Sequence, residues 1–342
     1  MEFHRKILKI DCEKETRRIS RFIQKQVRLM RREGAVIGLS GGVDSAVSAE
    51  LCVRALGKER IIGLVLPEKD SNPISKDFAL RQAEKMGIRA EVIDITAVLE
   101  AFGTYWKRDE AIKKICPEYE DDHKMKIALP RDLLAHDSFN IYTLMVKDQA
   151  GIEKSARLNK EILRAVIAAT DTKQRTRMMH LYYYAEKLNL VVCGTTNKTE
   201  LIQGFFVKYG DGGVDIEPLA HLYKNQVLQL AEYLGVIDEI RTRIPSPDTF
   251  SFEVSDEEFY FRIPYETLDF LLYAWENNIP SPHVCSVLGL SEEQVKRAFR
   301  DFDSKYRITQ HLRRLPPSLK IAKRIRKSSP DHHKSAPEDD SL

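Results

Sequence analysis

The chain has 342 residues, of which 43% are hydrophobic and 31% charged, and its formal net charge is +3. This length accommodates one large domain or two modest ones, each with a real core. The balanced charge argues against nucleic acid as a partner, and the lack of an apolar run of about 18 residues argues against a membrane span. The N-terminus lacks the features of a secretory signal, and the five scattered cysteines form no C-x-x-C pair. We therefore expect a cytoplasmic protein with reduced thiols.

The first hundred residues alternate amphipathic helices with short apolar strands. The predicted elements are a helix over 13–33 ended by Gly34, a strand over 35–39, a helix over 45–56 capped by Gly57, a strand over 61–67, a helix over 75–87 and a strand over 90–95. Short connections between alternating helices and strands favour a parallel sheet with right-handed crossovers. We predict an α/β fold with a doubly wound parallel sheet flanked by helices.

The rest of the chain is less regular. The segment from about 101 to 160 is long and charged, and we interpret it as an insertion in the sheet framework. Further predicted elements are a helix over 160–188, a strand and loop within 188–200, a helix over 222–236 and a C-terminal helical part that includes a helix capped by Ser291. We expect residues 1–318 to form one domain and residues 319–342, basic and then polar, to be disordered.

A glycine turn joins the first predicted strand to the second helix, in the stretch VIGLSGGVDSAVSAE (36–50). Gly41 and Gly42 allow close approach of a ligand, and the following helix start offers free N–H groups to phosphate. Ser40 and Ser45 add hydroxyls, whereas Asp44 suits the site only together with a cation such as Mg²⁺ on a polyphosphate. Two glycines alone are as typical of a simple packing turn.

The string S-G-G-V-D-S resembles the PP-loop of the N-type ATP pyrophosphatases, which cleave ATP between its α and β phosphates. Three further stretches, GTTNKTELIQGFFVKYGDGGVDIEPLAHLYKNQVLQLAEYLGV (194–236), KQRTRMMHLYYYAEKLN (173–189) and TQHLRRLPP (309–317), are similar to NAD synthetases. The resemblance covers about 13–317 and is to the ammonia-dependent type. It implies a Rossmann-like fold of the adenine nucleotide alpha hydrolase kind.

The resemblance also implies roles for individual residues. The implied ATP-binding residues are Gly38, Leu39, Ser40, Gly41, Gly42, Val43, Asp44, Ser45, Thr195, Lys224 and Ser246. The implied substrate-binding residues are Arg175, Lys208, Asp215 and His311, the implied metal ligands are Asp44 and Glu200, and the implied catalytic residues are Asp44, Lys208 and Lys224.

Physical reasons accompany these assignments. Glu200 follows a strand end, and ligands at the carboxyl edge of a parallel sheet converge on one crevice, so it and Asp44 are able to share Mg²⁺. A cation such as Lys224 offsets charge developing on phosphate, and the guanidinium of Arg175 suits a carboxylate or phosphate. Taken in isolation, Glu200 reads as a solvated helix-start acid, and Lys224 and Arg175 read as surface residues.

The implied reaction is ATP-dependent amidation of deamido-NAD by ammonia through an acyl-adenylate, giving NAD, AMP and pyrophosphate. The first predicted strand begins at Ala35, which leaves no room before it for a glutaminase domain, so we expect free ammonia or a separate ammonia donor. The resemblance further implies a homodimer, to which the helix over 160–188 is able to contribute, although a plain core helix fits its pattern as well.

Two alternatives stay open at this point. One is another PP-loop enzyme that amidates a different carboxylate or modifies tRNA, for which the basic run KIAKRIRK (320–327) is the sole candidate RNA contact. The other is a non-catalytic nucleotide-binding homologue. Its evidence is two departures from the family pattern, Leu312 in place of a lysine and the altered segment 246–269. Evidence against it is that Asp44, Glu200, Lys208 and Lys224 are intact. A further departure is Thr170-Asp171-Thr172, where the family usually shows an asparagine.

Overall fold

The computed structural model describes residues 3–130, 132–136 and 140–319. The strands are β1 (Gly34–Gly38), β2 (Ile61–Val65), β3 (Arg89–Val92), β4 (Lys124–Ala128), β5 (Thr143–Lys147), β6 (Glu153–Arg157) and β7 (Leu190–Cys193). The helices are α1 (Cys12–Leu29), α2 (Val43–Leu56), α3 (Pro73–Met86), α4 (Thr96–Phe102), α5 (Thr104–Lys113), α6 (Lys160–Leu188), α7 (Lys198–Gln203), α8 (Lys224–Leu234), α9 (Asp238–Arg241), α10 (Tyr265–Glu276), α11 (Ser281–Leu288), α12 (Glu292–Ile308) and α13 (Gln310–Arg313). Apart from Leu319, the tail predicted to be disordered lies outside the described residues.

The central sheet has four parallel strands in the order β3-β2-β1-β7. Strands β2 and β7 are apolar and buried throughout, and β1 is buried except at its last residue, as expected when helices cover both faces. Helices α1, α2 and α8 pack on one face through Ile23, Leu51 and Val227, and α4 and α6 pack on the other through Leu99 and Ala185. The prediction of a doubly wound parallel sheet is confirmed.

The sequence had indicated that Gly34 ends the first helix, and this prediction is wrong. The helix ends at Leu29, and Gly34 is the first residue of β1. A Cβ at this position would lie 2.0 Å from the carbonyl oxygen of Arg60, so the glycine serves close packing between neighbouring backbones. Strands β2 and β3 also end earlier than predicted, at Val65 and Val92.

The segment predicted as an insertion contains regular structure of its own. It includes α5 and an antiparallel sheet in the order β4-β5-β6. Met125, Ile127 and Leu144 of this sheet form a core with Ile162 of α6 and with Phe250. The sheet thereby joins α6 to the segment before α10, both of which line the cavity described below.

The C-terminal helices α10, α11 and α12 share a separate core that includes Leu271, Val284 and Phe302. Ser291 caps α12 as predicted, because its side chain accepts a hydrogen bond from the N–H of Gln294. All five cysteines are free thiols. Within the described ranges, no helix is both long enough and apolar enough to cross a bilayer.

Candidate active site

The glycine turn lies at the carboxyl end of β1 and leads directly into α2. Gly41 has a φ of +73°, and a Cβ there would lie 2.2 Å from the carbonyl oxygen of Ser75, so only glycine fits. The Ser40 and Ser45 hydroxyls are 3.1 Å apart, and the Ser45 hydroxyl donates to the Gly42 carbonyl oxygen at 2.9 Å. No side chain caps α2, so its first N–H groups are available to an anion.

A buried lysine and three carboxylates face one another beside this turn; we call Asp44, Glu200, Lys224 and Asp256 the sheet-edge cluster. Lys224 Nζ lies 2.5 Å from Asp44 Oδ2 and 3.9 Å from Glu200 Oε1. The Tyr265 hydroxyl donates to Asp256 Oδ2 at 3.0 Å, whereas Asp256 Oδ1 is buried without a hydrogen-bond partner among the described residues. The cluster therefore contains three acidic groups and one basic group.

Local hydrogen bonds orient the carboxylates of this cluster. Asn197 begins α7 as its cap, and Glu200 Oε2 accepts from the Asn197 N–H at 3.1 Å, which turns Oε1 toward Lys224. The Asn197 side-chain amide also donates to Asp44 Oδ1 at 2.9 Å. One asparagine thus holds both predicted metal ligands, in the sequence context GTTNKTE.

The electrostatics of the cluster follow from burial and from its excess of negative charge. Burial and the nearby Asp44 carboxylate raise the pKa of Glu200 well above its ordinary value. Burial likewise raises the pKa of Asp256 to about 6. Burial opposes the charge of Lys224, yet the three carboxylates outweigh it and raise the pKa of its ammonium. A further cation placed here would relieve the repulsion among the carboxylates.

The cluster fits a divalent metal. Carboxylate oxygens are the ligands that Mg²⁺ prefers, and the unpartnered Asp256 Oδ1 is a buried acceptor that lacks a donor. Asp44 and Glu200, which both point at Lys224, are the residues that would hold the ion. A bound Mg²⁺ would supply positive charge to a polyphosphate on the glycine turn.

The turn and the cluster open into a cavity of about 890 Å³. Most of the predicted site residues line it, namely Gly38, Leu39, Ser40, Gly42, Val43, Asp44, Ser45, Arg175, Thr195, Glu200, Lys208, Lys224 and Ser246. Gly41, Asp215 and His311 do not line it. Asp215 instead accepts from the Val192 N–H at 2.8 Å and from the Tyr182 hydroxyl at 3.1 Å.

Two of the predicted substrate-binding residues, Arg175 and Lys208, line the cavity. Lys208 Nζ donates to the carbonyl oxygens of His311 at 2.8 Å and Arg314 at 3.1 Å, which joins the glycine-rich loop 208–215 to the chain around α13. Arg175 is exposed, and its Nε donates to the Lys208 carbonyl oxygen at 3.4 Å. Arg175, Lys208 and the backbone of His311 are therefore brought together, with the His311 side chain exposed.

Two acids in the cavity wall had no role in the sequence-based assignment. Asp171 and Asp211 both line the cavity. Asp171 is half-buried, and burial raises its pKa. Asp211 is exposed, and it accepts from the Val207 N–H at 2.8 Å. Asp211 is part of the KYGDGGVD loop, so its position in that motif was the available signal. No motif pointed to Asp171, which appeared only as a departure from the family pattern.

A second buried charge group lies beside the cavity and was also missed; we call Glu68, Asp70, Arg108 and Lys173 the Lys173 network. Lys173 Nζ donates to Glu68 at 3.0 Å, to Asp70 at 2.7 Å and to the Thr249 carbonyl oxygen at 2.7 Å. Arg108 donates to Asp70 at 2.5 Å. These contacts tie α5, α6 and the loop after β2 to the segment around Thr249.

The fold and the site together define a class: a Rossmann-like α/β nucleotide-binding protein with an anion-binding turn at the carboxyl edge of a parallel sheet. The chain matches the profile of the NAD synthase family over residues 15–126 and 118–316. It therefore belongs to the NAD synthase family, as the sequence motifs predicted.

Named relatives agree with this membership. The chain is 44% identical over 311 residues to an NH(3)-dependent NAD(+) synthetase of Mesorhizobium japonicum, covering 91% of this chain and 97% of the relative. It is 33% identical over 304 residues to the enzyme of the same name from Methanocaldococcus jannaschii, covering 89% of this chain and 95% of the relative.

Solved structures share the fold. An NMN synthetase from Francisella tularensis superposes with a TM-score of 0.64, and an NH3-dependent NAD synthetase from Campylobacter jejuni with a TM-score of 0.60. Each is 23% identical to this chain, and each match covers 91% of this chain and 100% of the other. At this identity the likeness concerns the fold alone.

Proposed function

We infer that the protein is a ligase that amidates deamido-NAD with ammonia at the expense of ATP, releasing NAD, AMP and pyrophosphate. The observation that carries this inference is the sheet-edge cluster beside the glycine turn, in a chain similar over nearly its whole length to NH(3)-dependent NAD(+) synthetases. The family membership favours this reaction over tRNA modification and over a non-catalytic role.

The chemistry proceeds in two substitutions. A carboxylate oxygen of the substrate attacks the α-phosphorus of ATP, the bond to the bridging oxygen breaks, and pyrophosphate leaves. Ammonia then attacks the acyl carbon of the adenylate, AMP leaves, and the nitrogen loses a proton to form the amide. Neither step needs a side-chain nucleophile, so positioning and electrostatics are the protein's contribution.

We assign the roles of the residues accordingly. Ser40, Ser45 and the N–H groups at the start of α2 receive the pyrophosphate portion of ATP, with Lys224 able to turn from Asp44 toward phosphate oxygens. Asp44 and Glu200 hold Mg²⁺. Arg175 and Lys208, which line the cavity, receive the charged groups of the dinucleotide.

We further propose a homodimer that forms through α6. Met179 and Tyr183 lie one helical turn apart on α6 and are 54% and 59% exposed. The helices α4 and α5, which pack against α6, expose Phe102 and Trp106. Light scattering of the wild type should give twice the chain mass, and Tyr183→Asp should give one chain mass; a monomeric wild type would contradict the proposal.

A product assay tests the proposed reaction. The pure protein is incubated with MgATP, ammonium and deamido-NAD, and NAD, AMP and pyrophosphate are quantified. Equal amounts of the three products are expected. Formation of ADP, or no NAD, would overturn the reaction class, and faster turnover of nicotinate mononucleotide than of deamido-NAD would overturn the substrate.

The nitrogen source is tested in the same assay. Ammonium and glutamine are compared at equal concentration in the pure protein, and we expect product with ammonium alone. Because ammonia is also able to come from a separate donor protein, a glutaminase added in trans with glutamine should restore product. Higher efficiency with glutamine in the pure protein would contradict the proposal.

A further inference from the structure

A buried carboxylate on α10, Asp269, lies behind the sheet-edge cluster and has no part in the reaction described above. Its side chain is fully buried. One oxygen accepts from the Thr199 hydroxyl at 2.6 Å, and the other accepts from the backbone N–H of Asn225 at 2.7 Å and from its side-chain amide at 2.8 Å. A single carboxylate therefore ties the first turn of α7 and the first turn of α8 to α10.

The partners of Asp269 are chain neighbours of two cluster residues. Thr199 precedes Glu200 in α7, and Asn225 follows Lys224 in α8. The Thr199 hydroxyl also accepts from the Lys224 backbone N–H at 3.1 Å. Because the hydroxyl donates its only hydrogen to Asp269, its lone pairs remain available to that N–H. The carboxylate thus fixes the backbones that carry both cluster residues.

The same helix also reaches the third acid of the cluster. Tyr265, in the first turn of α10, donates its hydroxyl to Asp256, and its carbonyl oxygen accepts from the Asn225 side-chain amide at 2.9 Å. Asp269 lies one helical turn further along α10. Helix α10 therefore holds the cluster from behind, while Asp269 itself does not line the cavity.

We propose that Asp269 is a positioning residue: it sets the separation of Lys224 and Glu200, 3.9 Å between Nζ and Oε1, and with it the affinity for MgATP. The effect on turnover rests on the proposed function, whereas the effect on MgATP binding does not. Asp269 acts through backbone placement and touches no reacting atom.

The nearly isosteric change Asp269→Asn separates this role from simple packing. Asn225 and Thr199 together offer three donors to the carboxylate. An asparagine side chain has one acceptor oxygen and an NH₂ group. With its NH₂ toward Asn225 it places a donor against the Asn225 N–H and breaks the link to α8. With its NH₂ toward Thr199 the hydroxyl has to turn and accept, so its own hydrogen loses the carboxylate and the link to α7 is weakened.

The matched control is Asp301→Asn. Asp301 is another buried carboxylate, on α12, which accepts from the Asn140 amide at 2.7 Å and pairs with Lys305 at 2.7 Å, and it does not itself line the cavity. MgATP affinity of both variants and of the wild type is measured by titration calorimetry, and steady-state kinetics are recorded in parallel. Both variants should lose thermal stability.

For Asp269→Asn we expect the MgATP Kd to be weakened about tenfold and kcat to be reduced. For Asp301→Asn we expect the wild-type Kd to be retained. Equal affinities for Asp269→Asn and the wild type, or equal losses in both variants, would overturn the proposal. If Asp269→Asn does not fold, Thr199→Val should weaken MgATP binding while Thr199→Ser retains it, and equal affinities for these two would also overturn it. A wild type that binds MgATP but forms no NAD would contradict the proposed function alone.

Discussion

The two buried charge groups beside the cavity differ in how well their charges are matched. In the Lys173 network, Lys173 and Arg108 pair with Glu68 and Asp70. Arg108 also pairs with the buried Asp109, so two cations meet three carboxylates. Burial opposes the ionisation of Asp70, yet Lys173 and Arg108 hold its pKa below its ordinary value. In the sheet-edge cluster, a single lysine meets three carboxylates, and the pKa values of Glu200 and Asp256 are raised.

This difference separates a structural network from a binding site. Paired and hydrogen-bonded charges are complete within the folded chain, so the Lys173 network joins elements and needs no ligand. In the sheet-edge cluster, by contrast, buried carboxylates outnumber the one cation beside an anion-binding turn, so an added cation is needed to balance their charge. We therefore expect changes in the sheet-edge cluster to alter catalysis most and changes in the Lys173 network to alter stability most.

The largest effect is expected from Asp44→Ala. Loss of this carboxylate removes a proposed metal ligand and the partner of Lys224, and turnover should fall by about 1,000-fold. The measurement is initial rate at saturating MgATP, with thermal unfolding as the folding control. An unchanged rate would show that Asp44 has no metal role.

The next effect concerns Lys173→Met. This change leaves Glu68 and Asp70 buried without their ammonium partner, which should reduce the free energy of unfolding by about 3 kcal/mol. Urea denaturation of the variant and the wild type gives the value. Lys296→Met, which breaks an exposed pair with Glu292, is the control and should leave the free energy of unfolding nearly unchanged. Equal losses in both variants would contradict a stabilising role for the Lys173 network.

Metal removal should give a somewhat smaller effect. MgATP at about 100 times its Kd should stabilise the folded protein by about 2.7 kcal/mol, because it binds only the native state. Excess EDTA should remove most of this stabilisation because it chelates the Mg²⁺ that would otherwise balance the carboxylates of the cluster. Asp44→Ala should show little response to either addition, and equal stabilisation by ATP with and without Mg²⁺ would contradict a metal role for the cluster.

The smallest effect concerns Glu217, a half-buried acid with no cation partner in the described chain. Burial raises its pKa from 4.5 to about 8. A carboxyl group whose folded pKa is raised contributes stability that is fully present below about pH 4.5 and is lost as pH rises toward 8. Relative to Glu217→Gln, the wild type should therefore lose about 2 kcal/mol between pH 6 and pH 8. Parallel stability curves for the two proteins would contradict the raised pKa.

Sequence reasoning succeeded where local pattern carries the information. The bounds predicted for the helix over 160–188 agree with α6, and the glycine turn was placed between the correct strand and helix. Asp44, Glu200 and Lys224 were found through motifs, and the structure places them within contact of one another. Amphipathic periodicity and turn residues act over a few positions, so a single sequence records them.

The rest depends on contacts between distant parts of the chain. Lys173 meets Glu68 across 105 positions, and Asp269 meets Thr199 across 70, so no local spacing reveals either pair. The antiparallel sheet was missed because β6, with the sequence EKSAR, is largely exposed and has no apolar alternation. His311 illustrates a different limit, since its backbone and not its side chain meets Lys208.

The most direct test of the account is a crystal structure with Mn²⁺ and a non-hydrolysable ATP analogue. We expect an anomalous peak bound by the carboxylates of Asp44 and Glu200, with Lys224 Nζ moved from Asp44 toward a phosphate oxygen. A peak elsewhere in the cavity, with the 2.5 Å contact between Lys224 and Asp44 intact, would contradict the sheet-edge cluster as the metal site.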